Sequence, residues 1–595
     1  MEFMERNTSD HGQENGNKEQ SSDVENYGIR RRTNGEIIHD ELVYEPSGWM
    51  ESTMSKMSGS TESFFKSKSS HIKILVLILI NAVLFSFFLA ALYFYLMHET
   101  HPLQLCEGFG SLLALYAIVY LLLLYFLVVK RYLGKWFERV VWKRLEAGWA
   151  CVWKIKFFPA TFTAAVLISI ALFLYFDTTD KPERLISLVG VFTIMLLGFM
   201  FSAYPGRINW RTVLVGLALQ FIFGLIFIRW DAGRYALQCF SDKVATFLGY
   251  GTQGAAFVFG DFLVLEKKVF AFSTLPVIFF FSMLVEVLFF YGALQWFCMK
   301  LGGLLQAATS TTVCESVISV GNVFLGMSES VLLIKPYIEL LTPSEIHVIM
   351  ASGFATVSGT ILAAYIQFGA QPAHLVTASV MSAPAAICYA KLLLPETKKS
   401  LTAIDNIAEV EIKDRSALSA ATRGATNGIG LVLNIIANLV AFVSVIAFLN
   451  GVLGYSGELL GFPDFNLEWI FGKVFIPFAW IMGVPWEECE LVGSLIGLKT
   501  VVNEFVAYQR MGEMLEQNLL SARSELIATY ALCGFTNPSS AGIMIGALSA
   551  MAPTQRETLS KTAVRAFFAG CGICFMTASI AALLMPEGSF MREHR

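Results

Sequence analysis

Carboxylates lie inside long apolar stretches of this chain, where an ionisable side chain is costly. Two glutamates flanking a serine occur twice with identical spacing, at Glu315, Ser319 and Glu329 and again at Glu490, Ser494 and Glu504. Carboxylates at membrane depth face a cavity or a partner and usually mark substrate or ion pathways. Glu329 and Glu504 are therefore candidate substrate ligands, whereas Glu315 and Glu490 are expected nearer the membrane faces, in structural roles.

Glycines beside these carboxylates predict breaks in helices. Gly321 and Gly326 flank Asn322, and the stretch Gly353-Phe354-Ala355-Thr356 is echoed later by Gly534-Phe535-Thr536-Asn537. A broken helix frees backbone carbonyls, and those oxygens together with Asn and Thr side chains suit a hard monovalent cation. The sequence therefore predicts a cation site made of neutral oxygens at the breaks.

The composition indicates that these residues sit in a membrane. The chain has 595 residues, of which 55% are hydrophobic and only 15% charged, whereas soluble proteins carry about 25% charged residues. The net charge of −4 is too small to imply a nucleic-acid partner. Lipid is the solvent that tolerates such a sequence.

Eleven apolar stretches are long enough to cross a bilayer, which takes about 20 residues. They are Ile74–Met97, Gly108–Val129, Phe158–Phe176, Leu185–Tyr204, Val213–Ile228, Phe270–Phe297, Ile346–Phe368, Leu375–Leu394, Gly428–Leu449, Ile527–Ala550 and Ala563–Met585. Lysines and arginines concentrate in the loop after the second span and are absent from the loop before it. The spans predict an all-α polytopic protein. The bias of lysine and arginine predicts that its N-terminus is in the cytoplasm and, after eleven crossings, its C-terminus is outside. It also requires that Leu467–Val484 lies on the outer face.

Gly302–Leu341 and Glu487–Met514 are apolar but poorly suited to plain spans, and we interpret them as two re-entrant hairpins. Hairpins that enter from opposite faces form an inverted repeat, which is typical of secondary transporters with sites at the membrane midplane. The predicted domains are a disordered cytoplasmic tail (1–70), three leading helices (71–180), scaffold helices (181–300), a first transport repeat (301–395), a scaffold helix with interfacial segments (396–485), a second transport repeat (486–586) and a short extracellular tail (587–595).

Five motifs resemble the concentrative, sodium-coupled nucleoside transporter family. They are GNVFLGMSESVLLIKPY (Gly321–Tyr337), GFATVSGTILAAYI (Gly353–Ile366), TASVMSAP (Thr377–Pro384), KTVVNEFVAY (Lys499–Tyr508) and IATYALCGF (Ile527–Phe535). The resemblance implies a plasma-membrane, multi-pass homotrimer that is not an enzyme, needs no cofactor and imports nucleosides with co-transported sodium. Within each protomer, a transport domain containing both hairpins would move against a scaffold.

The resemblance also implies roles for individual residues. Sodium would be bound by Asn322, Thr356 and the carbonyls of Leu325 and Val357; the base would meet Met327, Ser328, Glu329, Ile361 and Phe535; the ribose would meet Glu504, Asn537 and Ser540. A carboxylate can accept hydrogen bonds from two vicinal hydroxyls, so Glu504 suits a ribose. A site built to bond a hydroxyl strongly rejects an analogue that lacks it.

Selectivity for the base is expected to depend on Met327 and Thr360. Many family members carry Gln where this chain has Met327, and Gly-Met combined with Thr360 resembles the purine-preferring animal members. A thioether cannot bond the polar edge of a pyrimidine, but it packs well against an aromatic ring. We therefore predict that purine nucleosides are preferred, with uridine as an intermediate case. A symporter of broad selectivity is the alternative.

Two other classes fit the residues less well. A channel with re-entrant pore loops would be expected to have identical hairpins, and these two differ. Phe259-Gly260-Asp261 faintly resembles the Gly-x-Gly-Asp motif of intramembrane aspartyl proteases, but Val258 replaces the first glycine. Glu286, which lies in the middle of a span, has no role assigned by the sequence.

Overall fold

The computed structural model describes residues 69–98, 105–125, 129, 168, 170, 172–179, 182–400, 416–462 and 464–585. The predicted tail at 587–595, almost all of the predicted tail at 1–70 and most of the predicted span Phe158–Phe176 lie outside these residues. The regular structure of the described residues is entirely helical, as the sequence predicts. The chain forms two compact units, residues 1–144 and residues 145–595.

The described residues of the first unit form two packed helices, α1 (Ser69–His98) and α2 (Gly108–Leu124). Two tyrosines of α2 join them, because the Tyr116 hydroxyl donates to the Leu84 carbonyl at 2.7 Å and the Tyr120 hydroxyl donates to Asn81 Oδ1 at 2.9 Å. These bonds satisfy polar groups that lipid cannot.

The second unit contains sixteen further described helices. They are α3 (Ile186–Met200), α4 (Trp210–Gly224), α5 (Asp231–Phe259), α6 (Val277–Phe290), α7 (Ala293–Thr309), α8 (Val313–Gly321), α9 (Pro343–Phe354), α10 (Gly359–Gln367), α11 (Pro372–Leu393), α12 (Ala417–Leu460), α13 (Leu467–Ile481), α14 (Cys489–Val501), α15 (Glu504–Glu516), α16 (Ala522–Leu532), α17 (Pro538–Met551) and α18 (Arg556–Leu584). A few single-turn and non-α segments join them. Helices α11 and α18 are buried along most of their length and form the centre of this unit.

Seven helical segments of the described residues are long and apolar enough to cross a membrane. They are Leu77–His98, Pro182–Met200, Trp210–Arg229, Phe270–Phe290, Pro372–Leu393, Ala417–Leu460 and Pro553–Leu584. Two of the predicted spans, Ile346–Phe368 and Ile527–Ala550, are not continuous. Each is split into a pair of short helices, α9 with α10 and α16 with α17, at the glycine and proline positions.

Each predicted hairpin stretch contains a helix followed by a sharp change of conformation. In the first, α8 ends at Gly321, and after a turn the chain continues as a 3₁₀ segment, Ser330–Leu340. In the second, α14 and α15 are separated by two residues. The first hairpin begins later than predicted, because Gly302 lies inside α7 and a capping box of Thr312 and Glu315 starts α8.

Glu315 also anchors this hairpin through a buried ion pair. Its carboxylate lies 2.8 Å from Lys391 Nζ near the end of α11, and the two side chains are 1% and 9% exposed. Lys391 also reaches Glu396 at 3.5 Å and the Ser344 hydroxyl at 3.1 Å. The repeat-related Glu490 pairs with Lys473 at 2.7 Å, but there both side chains are nearly half exposed.

This contrast predicts that Glu315→Gln destabilises the protein and Glu490→Gln hardly does. Removing one partner of a buried ion pair usually lowers the free energy of unfolding by about 3–5 kcal/mol, because the other charge is left uncompensated. We expect the lower end, roughly 3 kcal/mol, because Glu396 still compensates part of the charge on Lys391. An exposed pair is worth about 0–1 kcal/mol. Thermal unfolding of the purified variants measures the difference, and equal melting temperatures would contradict the assignment of Glu315 as an anchor.

Candidate functional site

The two broken helices touch at their breaks. Gly534, with φ at 155°, lies against the backbone of Phe354, and a Cβ placed on it would be 2.6 Å from the Phe354 carbonyl oxygen. Only glycine allows this approach. The segments that contain the predicted cation and substrate ligands, after α9 and after α16, therefore lie side by side.

The predicted cation ligands of the first repeat form one buried cluster. Asn322 follows α8, and its Nδ2 donates to Ser352 Oγ at 2.5 Å while its Oδ1 accepts from Ser330 Oγ at 2.5 Å. The Thr356 hydroxyl donates to the Ser352 carbonyl at 2.9 Å. All four side chains are at most 2% exposed. Ser352 thus brings Asn322 and Thr356 together across the hairpin and the broken helix.

The two predicted carbonyl ligands belong to adjoining turns. Leu325 and Val357 are each 2% exposed, and the turns are joined by the Gly359 amide, which donates to the Phe324 carbonyl at 3.4 Å. The carbonyls of Leu325 and Val357 accept no backbone hydrogen bond from a described residue. Buried carbonyls are normally paired, so the lack of a backbone donor at both positions is unusual.

The predicted base ligands line the turn that follows. Met327 is 8% exposed and packs against Gly353, where an added Cβ would be 3.0 Å from the Met327 Cβ and 2.4 Å from the Met544 Cε. Glu329 accepts from the Gly326 amide at 3.1 Å. Ser328 is half-buried and Ile361 on α10 is buried. Thr360 is the second residue of the same helix, and its side chain lies outside the described part of the structure.

The predicted ribose ligands are connected to one another. Glu504, the first residue of α15, is 3% exposed, and Asn537 Nδ2 donates to its Oε2 at 2.6 Å. Asn537 caps α17, because its Oδ1 accepts a hydrogen bond from the Ser540 amide at 2.9 Å. Phe535 is buried in the break beside them. The structure therefore groups Glu504 with Asn537 and Ser540; their role as ribose ligands stays a prediction.

Family models match most of the second unit. "Na+ dependent nucleoside transporter N-terminus" matches residues 189–262, "Nucleoside recognition" matches 271–372 and "Na+ dependent nucleoside transporter C-terminus" matches 374–582. Sodium/nucleoside cotransporter 1 of Oryctolagus cuniculus is 40% identical over 498 residues, which cover 81% of this chain and 75% of that protein. The chain belongs to the Na+-dependent nucleoside transporter family. Sodium is the ion that this family transports with its substrate, and its members are transporters, not enzymes.

Other relatives agree with this assignment. Solute carrier family 28 member 3 of Homo sapiens is 42% identical over 71% of this transporter, and the match spans 63% of the human protein. The transporter CNTnw, solved in an inward-facing substrate-bound state, is 36% identical with a TM-score of 0.64, covering 68% of this chain and 98% of that one. An outward-facing variant of CNTnw gives a TM-score of 0.65.

Sequence reasoning missed several residues of the candidate site. Ser330 and Ser352 complete the oxygen cluster but were not singled out. Tyr365 on α10 stacks on Tyr508 at a centroid distance of 4.3 Å and meets Phe505 edge-on at 5.4 Å. Its buried hydroxyl lies close to the Glu504 carboxylate. A tyrosine inside an apolar run was the available signal.

Glu286 now has partners. Its carboxylate lies 2.7 Å from Arg423 Nη2 and accepts from Asn427 Nδ2 at 3.0 Å, both from α12. The pair joins α6 to α12, two helices that pack closely along each other. Asp261, from the motif that resembles a protease, is exposed just beyond α5.

Proposed function

We propose that this transporter imports nucleosides across the plasma membrane by symport with sodium, and that it prefers purine nucleosides. The observation that carries the proposal is the crossing of two broken helices, with a buried cluster of neutral oxygens on one side and a buried carboxylate–amide pair on the other. Such a crossing can hold a small cation and a hydroxyl-rich substrate in one place, so that binding of one favours binding of the other.

The proposed cation ligands are Asn322, Thr356 and the carbonyls of Leu325 and Val357. The feature that supports them is the combination of buried side-chain oxygens with two carbonyls that accept no backbone hydrogen bond from a described residue. A hard monovalent cation needs several such oxygens. Sodium would replace the bonds that Asn322 now makes to its serine neighbours. The Ser330 and Ser352 hydroxyls are close enough to reorient toward the ion.

The proposed substrate ligands form two groups. Glu504, Asn537 and Ser540 would bind the ribose, with the Glu504 carboxylate accepting from the two vicinal hydroxyls. The base would be met by Met327, Ser328, Glu329, Thr360, Ile361 and Phe535. Gly353 links the groups, because it lies against both Met327 and Met544, and Met544 is on α17, the helix that contains Ser540 and is capped by Asn537.

Uptake of labelled uridine and adenosine, with and without sodium, tests the function. The transporter should be expressed in a cell that lacks its own nucleoside carriers. We expect saturable, sodium-dependent accumulation above the external concentration. Uptake that never exceeds equilibration would instead support a channel, and equal uptake of all nucleosides would support a symporter of broad selectivity.

Purine preference rests on the apolar wall at Met327. This side chain packs beside Gly353 and Met544, so the base would meet thioethers and not an amide. A methionine sulfur interacts favourably with an aromatic ring, and a purine presents the larger ring face. A pyrimidine would gain less and would leave its polar edge without a partner.

We therefore predict that excess inosine competes strongly against labelled adenosine and that excess cytidine competes weakly. Met327→Gln combined with Thr360→Ser should improve cytidine competition by about tenfold. One neutral hydrogen bond contributes about 1 kcal/mol, and the polar edge of the buried pyrimidine would no longer be left without a partner. Equal competition by cytidine and inosine in the parent would rule out the proposed preference. No gain in the double variant would rule out these two positions as its cause.

The transporter is further proposed to be a homotrimer with its N-terminus in the cytoplasm and its C-terminus outside. The support is the resemblance for the trimer, and the distribution of lysine and arginine for the orientation. Cross-linking of the full chain in membranes tests the first, and the accessibility of epitopes at each terminus in intact cells tests the second.

A further inference from the structure

Lys499 carries a charge into the interior of the second hairpin. It lies near the end of α14 and is only 1% exposed. Its Nζ donates to the carbonyl of Ala531 at 2.8 Å. Among the described residues, no carboxylate is in direct contact with it, although Lys499 interacts electrostatically with Glu504 from farther away. A buried charge without a contacting counter-ion is expensive, and in a membrane protein it points to a functional role.

The position of the Ala531 carbonyl explains how the charge is tolerated. Ala531 belongs to the last turn of α16, which ends at Leu532 before the break that contains Phe535 and Asn537. The last carbonyls of a helix have no partners within it and carry the negative end of the helix dipole. A cation at this end is therefore stabilised without a carboxylate in direct contact.

The first repeat has a related arrangement without a built-in charge. There the hairpin residue Asn322 reaches Ser352, which lies in the last turn of α9 before the corresponding break. The first cluster consists of neutral groups only, so a cation there must come from solution. In the second repeat the hairpin supplies its own ammonium group to the end of the broken helix.

We propose that Lys499 is the fixed cation of the second repeat and takes the place that sodium has in the first. This proposal rests on the proposed sodium symport. Lys499 is a positioning residue, because its ammonium touches the end of α16 and not the substrate. By holding that end, it orients the break so that Phe535 and Asn537 face the nucleoside and Asn537 meets Glu504. The second repeat then needs no ion from solution.

The test is loss and chemical rescue of transport in the full-length protein. Lys499→Met keeps the length of the side chain without the charge, and we expect sodium-dependent adenosine uptake to fall about tenfold or more, as for loss of a charged hydrogen bond. Lys499→Ala should be similarly impaired but should regain activity severalfold with external n-propylammonium, which can fill the space and restore the charge. The same amine should not help Lys499→Met, whose side chain occupies the space.

Matched variants separate this role from a general loss of folding. Lys473→Ala removes an exposed lysine on the neighbouring helix α13, and it should keep uptake within about twofold of the parent. Surface biotinylation reports the amount of each variant at the cell surface. If the neutral variants do not reach the surface, Lys499→Arg, which retains the cation, is measured instead. The Lys499→Arg protein should then transport adenosine with unchanged sodium dependence.

Parental uptake by Lys499→Met would overturn the proposal, as would a rescue that is equal in the Met and Ala variants. Absence of sodium-dependent uptake in the parent would instead refute the proposed function. The two failures are therefore distinguishable in one set of measurements.

Discussion

Glu504→Gln is expected to reduce ribonucleoside uptake by about two orders of magnitude while the protein still reaches the cell surface. The carboxylate is buried at the start of α15 and already bonds Asn537 at 2.6 Å. Two hydroxyl bonds to a carboxylate contribute roughly 1.5 kcal/mol or more each, which together correspond to about a hundredfold. A glutamine presents one oxygen and one amide group, so it can no longer accept from both hydroxyls and still bond Asn537.

Deoxy analogues give this prediction its control. The parent should discriminate strongly against 2′-deoxyadenosine and 3′-deoxyadenosine, because a site built for a hydroxyl rejects a substrate that lacks it. Glu504→Gln should lose most of that discrimination, since without the carboxylate it would take up adenosine and its deoxy analogues at similarly low rates. The repeat-related Glu490→Gln, which changes an exposed pair with Lys473, should leave discrimination unchanged. If Glu504→Gln still preferred adenosine over its deoxy analogues by the parental factor, Glu504 would not bind the ribose.

The positions of the breaks were predictable from the sequence because glycine and proline act locally. Gly353, Gly359, Gly534 and Pro538 each disfavour a continuous helix at their own position, and the structure ends or starts a helix near each of them. The repeated glutamates pointed to the same region for a different reason, the cost of burying charge. Two independent local signals therefore located the candidate site.

The partners within the site were not predictable, because they depend on distance in space. Nothing in the sequence joins Ser352 to Asn322, which lies 30 positions earlier. The same holds for Arg423, which neutralises Glu286 from a helix far along the chain. The buried Lys391 likewise compensates Glu315 only after the hairpin has packed against α11. Such pairs follow from packing and not from local preference.

Asn322→Ala and Thr356→Ala are expected to raise the sodium concentration for half-maximal uptake by about tenfold or more. Each variant removes one side-chain oxygen from the buried cluster at the first break, and a bond to a charged group contributes roughly 1.5–3 kcal/mol. The effect on the nucleoside should be smaller and should disappear at saturating sodium, because the two ligands are coupled and not identical in their contacts. Uptake measured over a sodium series at fixed adenosine, and over an adenosine series at saturating sodium, separates these effects.

Buried serine and threonine residues elsewhere provide matched controls for the sodium prediction. The Ser319 hydroxyl bonds the Glu315 carbonyl within α8, and the Thr562 hydroxyl bonds the Thr558 carbonyl within α18. Ser319→Ala and Thr562→Ala also remove a buried hydroxyl, but neither lies in the cluster, so both should keep the parental half-maximal sodium concentration. A general loss of stability would lower surface expression and maximal rate in all four variants without moving that concentration. Since only a cation ligand changes it selectively, an unchanged sodium dependence in both Asn322→Ala and Thr356→Ala would place the sodium site elsewhere.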